Sequence, residues 1–258
     1  MDVYVCQNDF ESILSGIYDA GRSGKRSGDQ RLEIAGEREP ELFCRYLEVT
    51  SERRKAESVQ RAVRERLGQN VLELLWDASL CGREGKADCM YRFLVDGFRH
   101  GGKIIHMLSL PSVFQMLEMQ RAVRNEAHLL TGFVRFARTR GGVLAGIIGP
   151  KNDVLISVAD HFDDRLSREN WILVDEVRGK AAVHRAGGRT VMVQDKSGEA
   201  VKAVRRAGRE DPFEELWRTF TKRIAIEERE NPRCQRTHLP LRYRKYMTEF
   251  QRYSEGQS

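Results

Sequence analysis

Residues 171–194 have the sequence WILVDEVRGKAAVHRAGGRTVMVQ, which is the clearest indication of the fold class in this chain. Residues 171–178 alternate between apolar and polar side chains, as a half-buried strand does. Residues 181–185 and 189–194 flank Gly187-Gly188, a two-residue connection typical of a β-hairpin. The stretch therefore predicts three strands in an antiparallel meander.

The chain before this meander predicts one more strand and a helix. Residues 143–149, VLAGIIG, are apolar on both faces, as in a buried central strand. A helix with Asp153 at its N-cap follows, and its apolar side carries Leu155, Val158, Phe162 and Leu166. The sequence thus predicts an α+β fold with a small antiparallel sheet, at about 143–194, packed with helices.

Helical patterns flank the predicted sheet. Pro111 begins a long one that extends to about Arg138. Asp211 and Pro212 are suited to the N-cap and first position of another helix. We expect the apolar side of this helix to be packed; it carries Phe213, Leu216, Trp217, Phe220 and Ile224. Pro240 begins a last helix.

The N-terminal part is predicted to be mainly helical. Residues 2–6 are typical of a short strand, and residues 21–31 are polar and rich in Gly and Ser, which indicates a loop. Helical spacing then recurs over 50–80 and 88–98. Gly101-Gly102 breaks the chain, so we predict an N-terminal region at 1–102 and an α+β domain with a basic C-terminal helix pair at 103–258.

Composition excludes several classes of protein. No apolar run has the length of a membrane span, and the first residues lack the features of a secretory signal, so we expect a cytoplasmic protein. The five cysteines include no C-x-x-C pair, which argues against a disulfide framework and a cysteine-held metal. Because P-loop, dinucleotide-binding and zinc-protease motifs are missing as well, we expect no cofactor and no metal site.

Positive charge is concentrated near the C-terminus. The chain has a net charge of +6, and Lys202–Arg252 alone holds 14 Lys/Arg against 8 Asp/Glu. The remainder is neutral. A localised excess of this kind suits an anionic partner such as nucleic acid, although a solvated helix face has the same composition.

The densest basic segment is the corner between the last two predicted helices, within residues 221–250. Arginine forms bidentate contacts with phosphate, and tyrosine stacks on bases. An alternative is that Tyr243 and Tyr246 belong to the core and the arginines are only solvated. The candidate nucleic-acid-binding residues are Arg165, Arg229, Asn231, Gln235, Arg242, Tyr243 and Lys245.

Two histidines are candidates for acid–base chemistry. His128 lies in the long predicted helix that begins at Pro111, and His161 lies in the predicted helix after the strand at 143–149. A lone histidine on a helix is more often structural than catalytic.

Asp175 and Arg178 are three apart in a predicted strand, so they are expected to face opposite sides of the sheet. Asp175 is expected to pair with an arginine, either Arg165 or Arg135, and to serve structure.

Four segments together resemble a known family: AHLLTGFVRF, GGVLAGIIGPKNDVLISVADHFDDRL, WILVDEVR and LWRTFTKRIAIEERENPRCQRTHLPLRYRKYMTEF. The opening VYVCQNDFESILSGIYDA is similar to its N-terminus. The family comprises DNA metabolism proteins that contain a domain of unknown function. It occurs beside a radical-SAM protein of DNA modification or repair, and fused to a uracil-DNA-glycosylase-like domain.

The resemblance marks particular residues. Where the family has an aromatic residue after its H-F-x-x-R motif, this chain has Leu166. The family implies a DNA context without a catalytic role. Its recurrent positions correspond here to His128, Arg135, Phe136, His161, Phe162, Arg165, Asp175, Arg178, Arg229, Asn231, Pro232, Gln235, Pro240, Arg242, Tyr243, Glu249 and Phe250.

These observations lead to one expectation and two alternatives. The expectation is a DNA repair accessory protein that binds DNA through the basic corner and works with a radical-SAM partner. The first alternative is an enzyme acting on a nucleobase or nucleotide, with His128 or His161 as acid or base. The second is a protein-interaction module without affinity for DNA.

Overall fold

The computed structural model describes residues 1–195, 197–224 and 231–250. Within the first 50 residues, three strands form a parallel sheet. They are β1 (Asp2–Cys6), β2 (Gln30–Ile34) and β3 (Arg45–Glu48), in the order β2-β1-β3. The predicted strand at 2–6 is confirmed. The other two were not predicted, since β2 follows a polar loop and β3 is only four residues long.

Residue contacts divide the chain into two compact units, Met1–Asn125 and Glu126–Ser258. Helices form the rest of the first unit. Asp9 caps the first of them by accepting a hydrogen bond from the Ser12 amide at 2.8 Å. The predicted domain boundary at residue 102 stays a prediction. The helices are α1 (Phe10–Arg22), α2 (Arg53–Arg66), α3 (Gln69–Ser79), α4 (Lys86–His100) and α5 (Pro111–Phe133), whose last turns belong to the second unit.

A five-stranded sheet forms the centre of the second unit. Its strands lie in sequence order: β4 (Phe136–Arg138), β5 (Leu144–Ile148), β6 (Trp171–Asp175), β7 (Lys180–His184) and β8 (Val191–Gln194). The meander β6-β7-β8 is antiparallel, as predicted, but β5 and β6 are parallel. The sheet is therefore mixed. Helix α6 (Leu155–Arg165) connects β5 to β6, and a helical connection lets two neighbouring strands run in the same direction.

Two local expectations were wrong. The long helix ends at Phe133 rather than near Arg138, because Phe136–Arg138 pairs with β5 as a strand. Asp153 is not the N-cap of α6, since Val154 occupies that position without a side-chain cap. The Asp153 carboxylate instead accepts a hydrogen bond from the Lys180 ammonium at 2.6 Å.

Four α-helices complete the described chain, of which α8 and α10 were predicted from the sequence and α7 and α9 were not. Val204 on α7 packs against Ala145, Val174 and Ala181 of the sheet. Among the described residues, no helix combines the length and apolar character needed to cross a membrane. The four helices are α7 (Glu199–Glu210), α8 (Pro212–Ile224), α9 (Pro232–His238) and α10 (Leu241–Arg244).

Candidate functional site

The basic corner consists of α9 and α10 with the residues that join them. Asn231 is the N-cap of α9, and its side chain accepts a hydrogen bond from the Cys234 amide at 2.9 Å. The Gln235 side chain accepts one from the Arg244 guanidinium at 3.2 Å. Both polar side chains therefore hold the corner together. Arg229, the first predicted member of the corner, lies outside the described residues.

The end of the corner is fixed to a buried carboxylate. Glu126 is only 3% exposed and accepts hydrogen bonds from the Tyr243 hydroxyl at 2.6 Å and the Arg242 guanidinium at 3.2 Å. It also accepts bonds from the amides of Lys151 and Asn152, at 3.0 and 2.7 Å, and from the Asn152 side chain. A buried carboxylate needs this many donors to offset the loss of water.

Tyr243 is part of the core. It is 1% exposed, its ring lies 5.5 Å from that of Phe133, and the Arg242 guanidinium lies over its face. Burial, together with the hydrogen bond to Glu126, raises the pKa of Tyr243 to about 12. Tyr243 does not present a free stacking surface, so this candidate residue is structural. Glu126 was not predicted as a site residue, although its spacing from the buried Val123 and Leu130 places an acid on the apolar side of α5.

Lys245 has a similar acidic partner. Its ammonium lies 2.8 Å from Glu176, which also accepts hydrogen bonds from Tyr246 and Arg205. Burial raises the pKa of Glu176, but the bonds from Lys245 and Tyr246 outweigh it and leave this pKa lowered. Tyr246 also passes so close to Gly149 that a Cβ there would clash with its hydroxyl.

Asp175 pairs with an arginine, but with Arg178 and not with Arg165 or Arg135. The guanidinium of Arg178 lies 3.1 Å from the carboxylate, which also accepts bonds from the amides of Val177 and Arg178. The expectation that residues 175 and 178 face opposite sides of a strand was wrong, because β6 ends at Asp175 and the chain turns back. Burial raises the pKa of Asp175, and Arg178 opposes that rise.

The remaining candidates are not brought together. His128 and His161 are both exposed, on α5 and α6, and Arg165 is exposed at the end of α6. In the part of the chain that the structure describes, no hydrogen bond or ring contact joins these three side chains. Among all the residues that the structure describes, there is no group of three or more His, Cys, Asp or Glu side chains able to hold a metal ion.

A groove along α8 is the main feature that the sequence analysis missed. Its apolar side chains were expected to be packed, but Phe213, Trp217 and Phe220 are 66%, 41% and 52% exposed. The groove has a volume of about 690 Å³, within the range of ligand-binding clefts. Its lining comprises Arg135, Phe136, Asp211, Phe213, Leu216, Trp217, Phe220 and Thr248.

Polar contacts hold the walls of the groove in place. Arg135 forms two hydrogen bonds with Glu249, at 2.7 and 3.2 Å, and the Trp217 indole N–H donates to the same carboxylate at 3.3 Å. Burial raises the pKa of Glu249, and the bonds from Arg135 outweigh this effect and lower it. Asp211 caps α8 through the Phe213 amide, as predicted, and also accepts from the Arg138 amide at 2.6 Å.

A chain of side-chain contacts links the groove to the basic corner. Phe250 follows the Glu249 that holds Trp217, and the Arg244 guanidinium lies 4.8 Å from the Phe250 ring. Arg244 in turn donates to Gln235 on α9. Every described side chain of α9 is exposed, and Arg233 has no acidic partner among the residues that the structure describes. Arg223 is exposed one turn beyond Phe220 on α8.

Comparison with known protein families gives one match that covers well over half of the chain. Residues 84–249 match the model of the domain of unknown function DUF4130. The chain belongs to this family. The DUF4130 region includes every residue that lines the groove and the whole corner from Asn231 to Lys245. Neither the curated proteins nor the solved structures contain a significant match.

Proposed function

We propose that this protein binds single-stranded DNA along the α8 groove and α9, as an accessory protein of DNA metabolism. The observation that carries the proposal is the exposed row of Phe213, Trp217 and Phe220. Proteins that bind single strands combine aromatic side chains, on which bases stack, with cations that follow the backbone. Trp217 and Phe220 have ring centroids 5.8 Å apart, which provides two adjacent stacking surfaces.

Cations border the aromatic row at its end and along α9. Arg223 continues the row after Phe220, because residues three apart share one side of a helix. Arg233 is exposed on α9, which Arg244 and Phe250 connect to the groove. These positions suit phosphate contacts, whereas Arg242 and Lys245 are engaged by Glu126 and Glu176. We therefore place the DNA-binding surface on α8 and α9, and not at the Arg242 end of the corner that was expected from the sequence.

The resemblance to DNA metabolism proteins supplies the biological context of the proposal. In it, the chain works with a radical-SAM protein of DNA modification or repair. A single strand exposed beside such an enzyme is a substrate that the groove would hold. This part of the proposal predicts that the two proteins form a complex. Mixing the two purified chains with and without DNA and testing whether they elute together would check it.

Trp217→Ala tests the groove. Loss of one stacking surface should reduce the affinity for a fluorescent single-stranded oligonucleotide by about 1–3 kcal/mol, measured by anisotropy at low salt. Trp217→Phe should recover most of it, since a ring remains. The matched control is Trp76→Ala, because Trp76 is 42% exposed in the other unit of the chain. Absence of binding by the wild type, or equal affinities for wild type and Trp217→Ala, would contradict the proposal.

A further inference from the structure

The edge strand β8 is unusually apolar for an exposed position. Val191, Met192 and Val193 are 58%, 41% and 47% exposed, respectively. Within the described residues, β8 pairs only with β7, so its other edge presents main-chain donors and acceptors. Natural sheet edges are usually protected by charges, prolines or bulges, because an open edge pairs with other strands. An apolar open edge therefore marks a candidate interface.

The residues around β8 are complementary to themselves in the antiparallel direction. The segment from Arg189 to Asp195 has the sequence RTVMVQD. When two copies are placed antiparallel with Met192 opposite Met192, Val191 lies opposite Val193 and Thr190 lies opposite Gln194. Arg189 then lies opposite Asp195 at both ends. Opposed apolar pairs and opposed opposite charges both stabilise a strand pair.

Main-chain geometry agrees with this register. The Asp195 amide donates to the Gly179 carbonyl at 2.6 Å, so Asp195 directs its main-chain groups toward β7. Because these groups alternate in direction along a strand, those of Met192 and Gln194 point away from β7. Met192 would then exchange two hydrogen bonds with its own copy. Gln194 would exchange two with Thr190 of the other chain.

Charged residues of opposite sign lie at the two ends of this segment. Arg189 is exposed and, among the described residues, has no hydrogen bond or ion pair. The Asp195 carboxylate accepts one hydrogen bond, from the Ser197 hydroxyl at 3.3 Å, and interacts electrostatically with Lys202. A second copy of the same strand places a carboxylate opposite Arg189, which supports the proposed register.

We propose that two copies of this protein form a symmetric dimer through antiparallel pairing of their β8 strands. The pairing joins two five-stranded sheets into one and removes the open apolar edge from water. A two-fold axis passes beside Met192, so each residue of one copy meets its complement in the other. Because the strand is short, the interface is smaller than that of a typical stable complex, and we expect monomer and dimer to exchange with concentration.

Charge reversal tests the register as well as the dimer. Arg189→Asp places aspartates opposite each other at both ends, and Asp195→Arg does the same with arginines. Each variant alone should raise the dimer dissociation constant at least about ten-fold in sedimentation velocity of the full chain. Mixed together they should form a heterodimer, since each reversed charge then meets its opposite. Arg185→Asp, on the other side of the hairpin turn, is the matched control.

Met192→Pro provides a second test that preserves the fold. The Met192 amide points away from β7, so proline removes only an outward donor and leaves the β7 pairing intact. The variant should be monomeric with an unchanged circular dichroism spectrum. A wild type that stays monomeric across the concentration range would overturn the proposal. So would single charge reversals that still dimerise, or a mixture of the two that does not recover the dimer.

Discussion

The corner end around Arg242 and Tyr243 and the groove around Trp217 have the same composition, arginine beside aromatic rings, but opposite surroundings. Tyr243 is 1% exposed and bonded to Glu126, whereas Trp217 and its neighbours on α8 face solvent. Both regions have an acid partner, but Glu126, 117 positions away in the sequence, holds Tyr243 inside the core, whereas Glu249 bonds only the indole N–H of Trp217 and leaves its ring exposed. Basic and aromatic residues together therefore do not identify a binding surface unless their partners are known.

Glu126→Ala should cause the largest loss of stability among variants of the corner, because Glu126 is what distinguishes the corner from the groove. It leaves the Tyr243 hydroxyl, the Arg242 guanidinium and the Asn152 side chain without their shared acceptor. Removal of one partner from a buried charged network costs on the order of 3–5 kcal/mol of unfolding free energy. Urea denaturation followed by circular dichroism measures it.

The control for this change is Glu118→Ala on the same helix. The Glu118 side chain is 51% exposed and lies 3.8 Å from Arg83, so its loss should change stability by less than about 0.5 kcal/mol. A similarly small change in Glu126→Ala would mean that Glu126 does not hold the corner.

Alkaline pH should loosen the corner and spare the groove. The pKa of Tyr243 is about 12 in the folded chain and about 10 in an unfolded one. A folded pKa above the unfolded value means that the stabilisation is complete below pH 10 and is lost as pH rises toward 12. The loss is on the order of 2–3 kcal/mol, at 1.36 kcal/mol per pKa unit.

Tyr243→Phe isolates this contribution. The variant is less stable at neutral pH because its hydrogen bond to Glu126 is missing, but its stability should fall less steeply between pH 10 and 12. Unfolding curves at several pH values give the two slopes. Equal slopes in wild type and Tyr243→Phe would show that this tyrosine does not titrate with a raised pKa.

Arg242→Ala should lower stability by about 1–2 kcal/mol and change DNA affinity little. Its guanidinium is partly exposed but bonded to a buried carboxylate, so its role is to complete the Glu126 network. The candidate role of Arg242 in nucleic-acid binding, inferred from the sequence, predicts the reverse: a folded protein with weaker binding. Thermal melting and anisotropy on the same sample distinguish the two outcomes. If Arg242→Ala kept its melting temperature but lost DNA binding, Arg242 would be part of the DNA-binding surface after all.

Arg233→Ala is expected to have the smallest effect on free energy and to sharpen the assignment of the phosphate-binding side. An exposed arginine contributes little to stability, so the melting temperature should stay within error. If Arg233 contacts one phosphate, the slope of log affinity against log salt should fall by about 1. Arg121→Ala, an exposed arginine on α5 in the other unit, should leave that slope unchanged. A slope that is equal for Arg233→Ala and wild type would remove α9 from the interface.

Local pattern was sufficient for most of the second unit. Alternation and a Gly-Gly turn predicted β6, β7 and β8, and the Asp211 cap of α8 was confirmed through its bond to the Phe213 amide. These features depend on residues within a few positions of each other. The parallel pairing of β5 with β6 was missed because it depends on how the connection through α6 returns the chain, which no local pattern encodes.

The α+β fold, the basic C-terminal segment and the amphipathic character of α8 could all be predicted from the order of residues. Which faces are accessible to a partner depends on how the helices and strands pack together. Helical spacing shows that Phe213, Trp217 and Phe220 share one side of α8, but whether that side is buried depends on what packs against it. In the same way, the charge of Arg242 is visible in the sequence, whereas its neutralisation depends on Glu126, which only folding brings within 3.2 Å.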